Sequence, residues 1–219
     1  MKHINFYFDP ISPYAYLAFE QLPKVLQGLS YCVTYRPVLF AAMLKHFGQL
    51  GPAEIMPKRT WTYRQISWLA KEQGTDLDFP AAHPFNPLSL LRLGVACGRD
   101  GACNRYVAET LLRHVWQGGH DAADAQRLQA LTEQLQPQRA PDDAAVKVEL
   151  KANTDAAIEA GVFGVPTMEI EGQYFWGLDS LPMLRAYISG DAWFGSPAWK
   201  KAADVPTGAT RTSQSNHIT

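Results

Sequence analysis

The chain is poor in the residues that would announce redox, metal or nucleic-acid chemistry. Three of its 219 residues are cysteine, Cys32, Cys97 and Cys103, and no two form a Cys-x-x-Cys pair. A set this odd and sparse suits reduced thiols in a cytosol better than a disulfide framework. The six histidines show no ligand spacing and have no cysteine pair beside them, so no metal is expected. Formal net charge is -1 with no long basic run, which excludes the footprint of a nucleic-acid binder or of an anionic-membrane surface protein. No apolar run approaches the roughly 18 to 20 residues of a spanning helix. The opening Met1-Lys2-His3-Ile4-Asn5 meets aromatics and an Asp-Pro too early for a secretory signal. The expected setting is the cytoplasm, with neither nucleic acid nor membrane as partner. Charged residues are also modest at 19% against 47% hydrophobic, the balance of an ordinary globular chain with a sizeable core.

The stretch Asn5-Phe6-Tyr7-Phe8-Asp9-Pro10-Ile11-Ser12-Pro13-Tyr14-Ala15-Tyr16-Leu17 organises the rest. Asn5 to Phe8 is aromatic, as an inner strand should be, and Asp9-Pro10 breaks it. Ser12 followed by Pro13 is a helix start: a hydroxyl that can cap orphan N–H groups, then a proline with φ already set. Ala15, Leu17, Ala18, Leu22, Val25 and Leu26 then recur at roughly helical spacing. One hydroxyl is thereby aimed at the mouth of a strand-to-helix turn, where the helix dipole favours an anion.

Gly28 ends that helix, and Tyr31 to Arg36 is a second strand, parallel to the first across a right-handed crossover. Leu39 to Phe47 reads as a short helical turn and Gly48 to Pro57 as a loop. Helices are then predicted over Lys58–Glu72, Leu88–Cys97, Cys103–Trp116, Asp124–Leu135 and Asp142–Ala160, with a proline-punctuated loop at Asp76–Pro87 holding His83-Pro84-Phe85-Asn86. Met168–Ile170 and Gln173–Trp176 form a hairpin turning at Glu171-Gly172, and Leu181–Ile188 is a last helix with Asp179 or Ser180 as its cap. The order β-α-β, helices, α-β-β-α is the α/β, thioredoxin-like plan with a large all-helical insertion. The expected division is a thioredoxin-like domain from residues 1–50 and 139–195, an insertion over 51–138, and a flexible tail over 196–219, disordered from Ala202 onward.

Val165-Pro166 is the second motif. A proline opening a strand just after the glycine-bracketed turn Gly161-Val162-Phe163-Gly164 cannot donate to the ladder. Together, Phe6-Tyr7-Phe8-Asp9-Pro10-Ile11-Ser12-Pro13-Tyr14-Ala15-Tyr16-Leu17, Phe163-Gly164-Val165-Pro166-Thr167 and Trp176-Gly177-Leu178-Asp179-Ser180-Leu181 resemble the 2-hydroxychromene-2-carboxylate isomerases. These stand with the kappa-class glutathione transferases in the DsbA-like branch of the thioredoxin superfamily. The resemblance runs from about Asn5 to Ile188.

That resemblance implies roles for particular residues. Ser12 falls where redox relatives have their first active cysteine and where this family has a serine beside the sulfur of reduced glutathione. Val165, before a proline expected to be cis, would offer its backbone to the cysteinyl part of glutathione. Pro166 would shape that site, and Trp176, Gly177, Leu178 and Asp179 would hold the γ-glutamyl end. Lys58 sits where relatives have a lysine near the glycyl carboxylate or the substrate, and Gln49 stands where kappa-class relatives show an asparagine. Lys45, Lys58, His83 and Asn86 are the candidates for a small aromatic carboxylate substrate. A homodimer is implied as well.

The residues themselves agree with this chemistry. A hydroxyl donor and a helix N-terminus would lower a thiol's pKa and orient its sulfur. Serine cannot form a disulfide, and the fourth residue of the would-be Cys-x-x-Cys is Ala15, so dithiol exchange is excluded here. The leading expectation is a glutathione-dependent isomerase of aromatic catabolism. A kappa-like transferase and a non-catalytic thioredoxin-like binding module are the alternatives. Taken singly, the same residues read more plainly: Ser12 and Asp179 as helix caps, Lys58 as solvated, His83 as a loop residue with a structural hydrogen bond.

Overall fold

The computed structural model describes residues 1–209. Strand β1, Lys2–Phe8, leads through the Asp9–Ser12 turn into α1, Pro13–Val25. Strand β2, Tyr31–Pro37, follows, then α2, Phe40–His46. The helical stretch holds a short 3-10 turn at Pro52–Glu54, then α3, Met56–Gln73; α4, Leu88–Ala96; α5, Arg105–Trp116; and α6, Ala125–Leu135. Helix α7, Ala144–Glu159, returns the chain to β3, Thr167–Ile170, and β4, Gln173–Trp176. A 3-10 turn at Leu178–Ser180, α8 at Leu181–Ile188, a turn at Ala192–Gly195 and α9 at Pro197–Ala203 complete the described chain.

The sheet order is β2-β1-β3-β4. Strand β1 runs parallel to β2, with Phe6 opposite Tyr35, and antiparallel to β3, with Phe6 opposite Met168. Strands β3 and β4 close the hairpin. This is the expected thioredoxin-like sheet, interrupted by a helical insertion. Alternation in β1 sends Ile4, Phe6 and Phe8 into a fully buried core with Tyr16, Leu17 and Phe19 of α1. The opposite face carries a polar ladder: Arg36 Nε donates to Asn5 Oδ1 at 3.0 Å, and Asn5 Nδ2 donates to Glu169 Oε2 at 2.6 Å. A second cluster, Val38, Met43, Ala157, Val162 and Val165, packs α2 and α7 beneath the loop that carries Pro166.

Several elements differ in extent from the sequence reading. Helix α5 starts two residues later than expected: Asn104 caps it, accepting from Val107 N at 2.9 Å, while Cys103 N donates to Tyr35 O at 2.9 Å as an isolated bridge. Helix α3 begins inside the expected loop, because Pro57 sits in its first turn. Within the polar C-terminal stretch, α9 is capped by Ser196, which accepts from Trp199 N. Trp199 packs on Trp193 and Phe194, with ring centroids at 5.1 and 5.2 Å. That aromatic cluster gives Ala202 and Ala203 a helix to end, where the polar composition alone predicts disorder. Of the expected tail, residues 210–219 lie outside the described residues.

Candidate active site

Ser12 has extended backbone and caps α1, its Oγ accepting from Ala15 N at 3.2 Å. The same hydroxyl donates to Val165 O at 3.3 Å. The Val165–Pro166 peptide is cis, and so is His83–Pro84. Ser12, Val165 and Pro166 are all buried. Among the described residues the Val165 N–H has no hydrogen-bond acceptor, so this backbone offers a donor and an acceptor beside the serine.

The second half of the site hangs on the hairpin. Trp176 pairs with Thr167 in register, and Gly177 N donates to Pro166 O at 2.9 Å. Trp176 is 54% exposed and packs its ring, tilted, with its centroid 4.8 Å from that of Phe163. Gly177 has φ +92°, a conformation that side-chain-bearing residues rarely adopt, and Asp179 Oδ1 would lie 2.5 Å from a Cβ placed there. Leu178 is buried and Asp179 exposed. The Tyr14 phenol is held above its ordinary pKa by burial, against a hydrogen bond with Thr62, and the Asp179 carboxylate adds to the rise. Tyr14 OH donates to Gln65 Oε1 of α3 at 2.8 Å. Helix α3 thus meets the first turn of α1, two residues after Ser12.

The remaining candidates scatter. Lys45, Gln49 and Lys58 are exposed, at the end of α2, in the following loop and in the first turn of α3. Among the described residues none of their side chains hydrogen-bonds to Ser12, Val165 or Trp176. Asn86 is a local turn residue, its Oδ1 accepting from Leu88 N at 3.1 Å. His83 reaches the turn itself: its Nε2 lies 2.8 Å from Ile11 O, and its Nδ1 lies 2.7 Å from Tyr63 OH. Two grooves of about 450 and 420 Å³ lie among α4, α5 and α6, and neither is lined by Ser12 or Pro166.

From sequence, Asp9 is only a strand breaker. In the fold it is fully buried, and its two carboxylate oxygens accept from Ile11 N and from Phe40 N, each at 3.0 Å. Ser12 N donates to its backbone oxygen at 3.0 Å. Burial pushes its carboxyl up to about 7, against the two N–H donors that favour the charged form. A lone acid inside an aromatic run is the signal that sequence reasoning missed. Trp116, at the end of α5, is fully buried and donates its Nε1–H to Pro10 O at 2.8 Å. Asp9, His83 and Trp116 together fix the turn that presents Ser12.

Comparison with known proteins shows the family. A family model described as a DSBA-like thioredoxin domain matches residues 3–189. A 2-hydroxychromene-2-carboxylate isomerase of Sphingobium xenophagum is 30% identical over 197 residues, covering 85% of this chain and 98% of that protein. One from Pseudomonas sp. (strain C18) is 32% identical, covering 85% and 90%. Glutathione S-transferase kappa 1 of Rattus norvegicus is 25% identical, covering 88% and 92%. The solved structure of a selenomethionine 2-hydroxychromene-2-carboxylate isomerase superposes with TM-score 0.74 at 24% identity, covering 94% of this chain and all of that one, and supports the fold. The chain belongs to the DSBA-like thioredoxin family and, within it, to the 2-hydroxychromene-2-carboxylate isomerases, a family of isomerase enzymes.

Proposed function

We propose that this enzyme uses reduced glutathione to interconvert 2-hydroxychromene-2-carboxylate and trans-o-hydroxybenzylidenepyruvate, with Ser12 as the residue that activates the thiol. The reaction comes from the names of the relatives, and the use of glutathione is supported by the kappa transferases among them. The observation that carries it is the Ser12 hydroxyl, 3.3 Å from Val165 O, beside Pro166 and at the N-terminus of α1.

The residues present fit a γ-glutamyl-cysteinyl-glycine ligand. Val165 presents one N–H and one C=O, the pair that an added extended peptide strand takes up. An incoming amide N–H would take Val165 O, and the Ser12 proton, released from that carbonyl, would turn toward the ligand's sulfur. When bound, glutathione would supply a thiol for reversible addition to the conjugated side chain, the same thiol being released at the end of turnover. Ser12 lowers the pKa of that thiol by donating to its ionised form, and the dipole of α1 acts in the same sense. The Trp176–Phe163 pair offers an apolar wall at the γ-glutamyl end. Lys58 is the preferred cation for a carboxylate of substrate or glutathione, with Lys45 as the second. Gln49 stays a glutathione-binding candidate on the resemblance alone. A homodimer and a cytoplasmic setting are part of the same reading, and no helix among the described residues is long and apolar enough to cross a membrane.

The test is turnover with and without glutathione, followed by glutathione stoichiometry. Isomerisation that needs glutathione and leaves its amount unchanged is expected. Glutathione consumed as an adduct would favour the transferase reading. Activity indifferent to glutathione would remove the proposal.

A further inference from the structure

The turn that carries Ser12 receives two side-chain donors from the helical insertion. Trp116 holds the Pro10 carbonyl, and His83 holds the Ile11 carbonyl one residue before the serine. A carbonyl only accepts, so His83 carries its proton on Nε2. In the neutral ring Nδ1 then has a lone pair, and the Tyr63 hydroxyl donates to it across 2.7 Å. Arg59 Nε donates to the same phenol oxygen at 3.2 Å, and Arg59 Nη2 donates to His83 O at 2.7 Å. A chain of donation thus runs from Arg59 through Tyr63 and His83 to Ile11 O.

The ring is packed as well as bonded. Its centroid lies 5.4 Å from Trp116, 5.7 Å from Tyr63 and 6.1 Å from Phe85. The groups that face it are Arg59 and Tyr63 from α3, Trp116 from α5, Phe85 from its own loop and the Ile11 carbonyl from the turn. Arg59 is the charged member of that set. Burial holds the imidazole pKa below its ordinary value, against the Ile11 carbonyl, which favours the protonated ring, and the Arg59 charge adds to the lowering.

We infer that His83 is a positioning residue and not a substrate ligand: as the neutral Nε2–H tautomer it carries the fixed geometry of α3 onto the Ile11 carbonyl and so sets where the Ser12 hydroxyl points. The inference rests on the glutathione reading above for what that hydroxyl serves. Both ring nitrogens are committed, which leaves neither for a substrate. A proton on Nδ1 would set a second positive charge beside Arg59 and would push the phenol's proton from its 2.7 Å contact with Nδ1 to the longer 3.3 Å contact with His83 O. The relay therefore operates with the ring uncharged.

Nitrogen NMR of the unliganded wild-type protein tests the tautomer without glutathione. The Nε2–H form is expected at neutral pH, and an Nδ1–H form or an imidazolium would overturn the inference. Kinetics test the consequence. Folded His83→Leu should lose about a hundredfold in kcat, the cost of a small misplacement of a reacting group, while its affinity for glutathione holds. His83→Gln, whose amide N–H can reach Ile11 O, should recover part of that loss. Tyr63→Phe, which keeps the ring packing, should lose about tenfold, a smaller misplacement of the same kind. The acid limb of the wild-type kcat profile should follow the His83 titration seen by NMR. Wild-type kcat in folded His83→Leu would overturn the inference. Should that variant fail to fold, unchanged kcat in Tyr63→Phe would do so. A wild-type enzyme indifferent to glutathione is seen without any variant, so failure of the function and failure of the His83 role are separable.

Discussion

The Ser12 hydroxyl donates to the carbonyl of Val165, 3.3 Å away in space and 153 positions along the chain. That contact joins the first strand-to-helix turn to the loop before β3. It brings a capping residue beside an open strand-type backbone, and a thiol ligand there would meet both at once. The distance is long for an O–H donor, so exchanging this bond for one to sulfur costs little.

Replacing Ser12 by alanine removes two interactions. Loss of the cap on Ala15 N should lower stability by about 1 kcal/mol, measured by denaturant unfolding. Loss of the donor to sulfur should lower glutathione-dependent kcat by about a hundredfold, as for other preorganised donors to developing charge. Wild-type kcat in a folded Ser12→Ala protein would show that the hydroxyl is a cap and nothing more.

Asp9 predicts a pH effect on stability. Its carboxyl titrates at about 7 in the folded protein against an ordinary 3.8. Between those values the folded state binds the extra proton, so this group's contribution falls as pH rises and the full penalty stands above the folded pKa. Asp9→Asn cannot ionise, although its single carbonyl leaves Ile11 N or Phe40 N without an acceptor. The variant should be the less stable protein at acid pH and should close the gap as pH rises through the window. A stability difference that stays flat with pH would show that Asp9 does not titrate there.

Gly177 and Gly161 separate strain from crowding. Both have positive φ, +92° and +84°, but an added Cβ meets Asp179 Oδ1 at Gly177 and nothing within 4 Å at Gly161. Gly161→Ala should cost about 1 kcal/mol from the backbone alone. Gly177→Ala should cost more and should also weaken glutathione binding, read by calorimetry. Equal stability losses with unchanged binding would remove the Trp176–Asp179 turn from the site.

Lys58 and Asn86 predict opposite signatures. Lys58→Ala, at an exposed position, should leave stability within about 0.5 kcal/mol. It should raise KM roughly fivefold, the worth of an exposed ion pair near 1 kcal/mol. Asn86→Ala should lose the turn bond to Leu88 N and some stability, with KM unmoved. The reverse pattern would exchange their roles.

The site is legible in the sequence only in parts. Ser12 and Pro13 are readable because capping is settled within one turn of chain. The hairpin is readable because Glu171-Gly172 supplies the two positive-φ positions of a tight turn, observed at +52° and +78°. The partners of Asp9 and His83 are not readable. Phe40 N lies 31 positions from Asp9, and Ile11 O lies 72 from His83. No local pattern records such distances.

By itself the sequence determined the order of strands and helices, the strand-to-helix turn at Ser12, and the absence of a dithiol pair, since each depends on neighbours a few residues apart. Tertiary structure decided the strand order β2-β1-β3-β4 and the meeting of Ser12 with Val165. It also made Asp9 a buried acid and left His83 with no free nitrogen. Those properties depend on which groups are brought together and stripped of water, and only the folded chain does that.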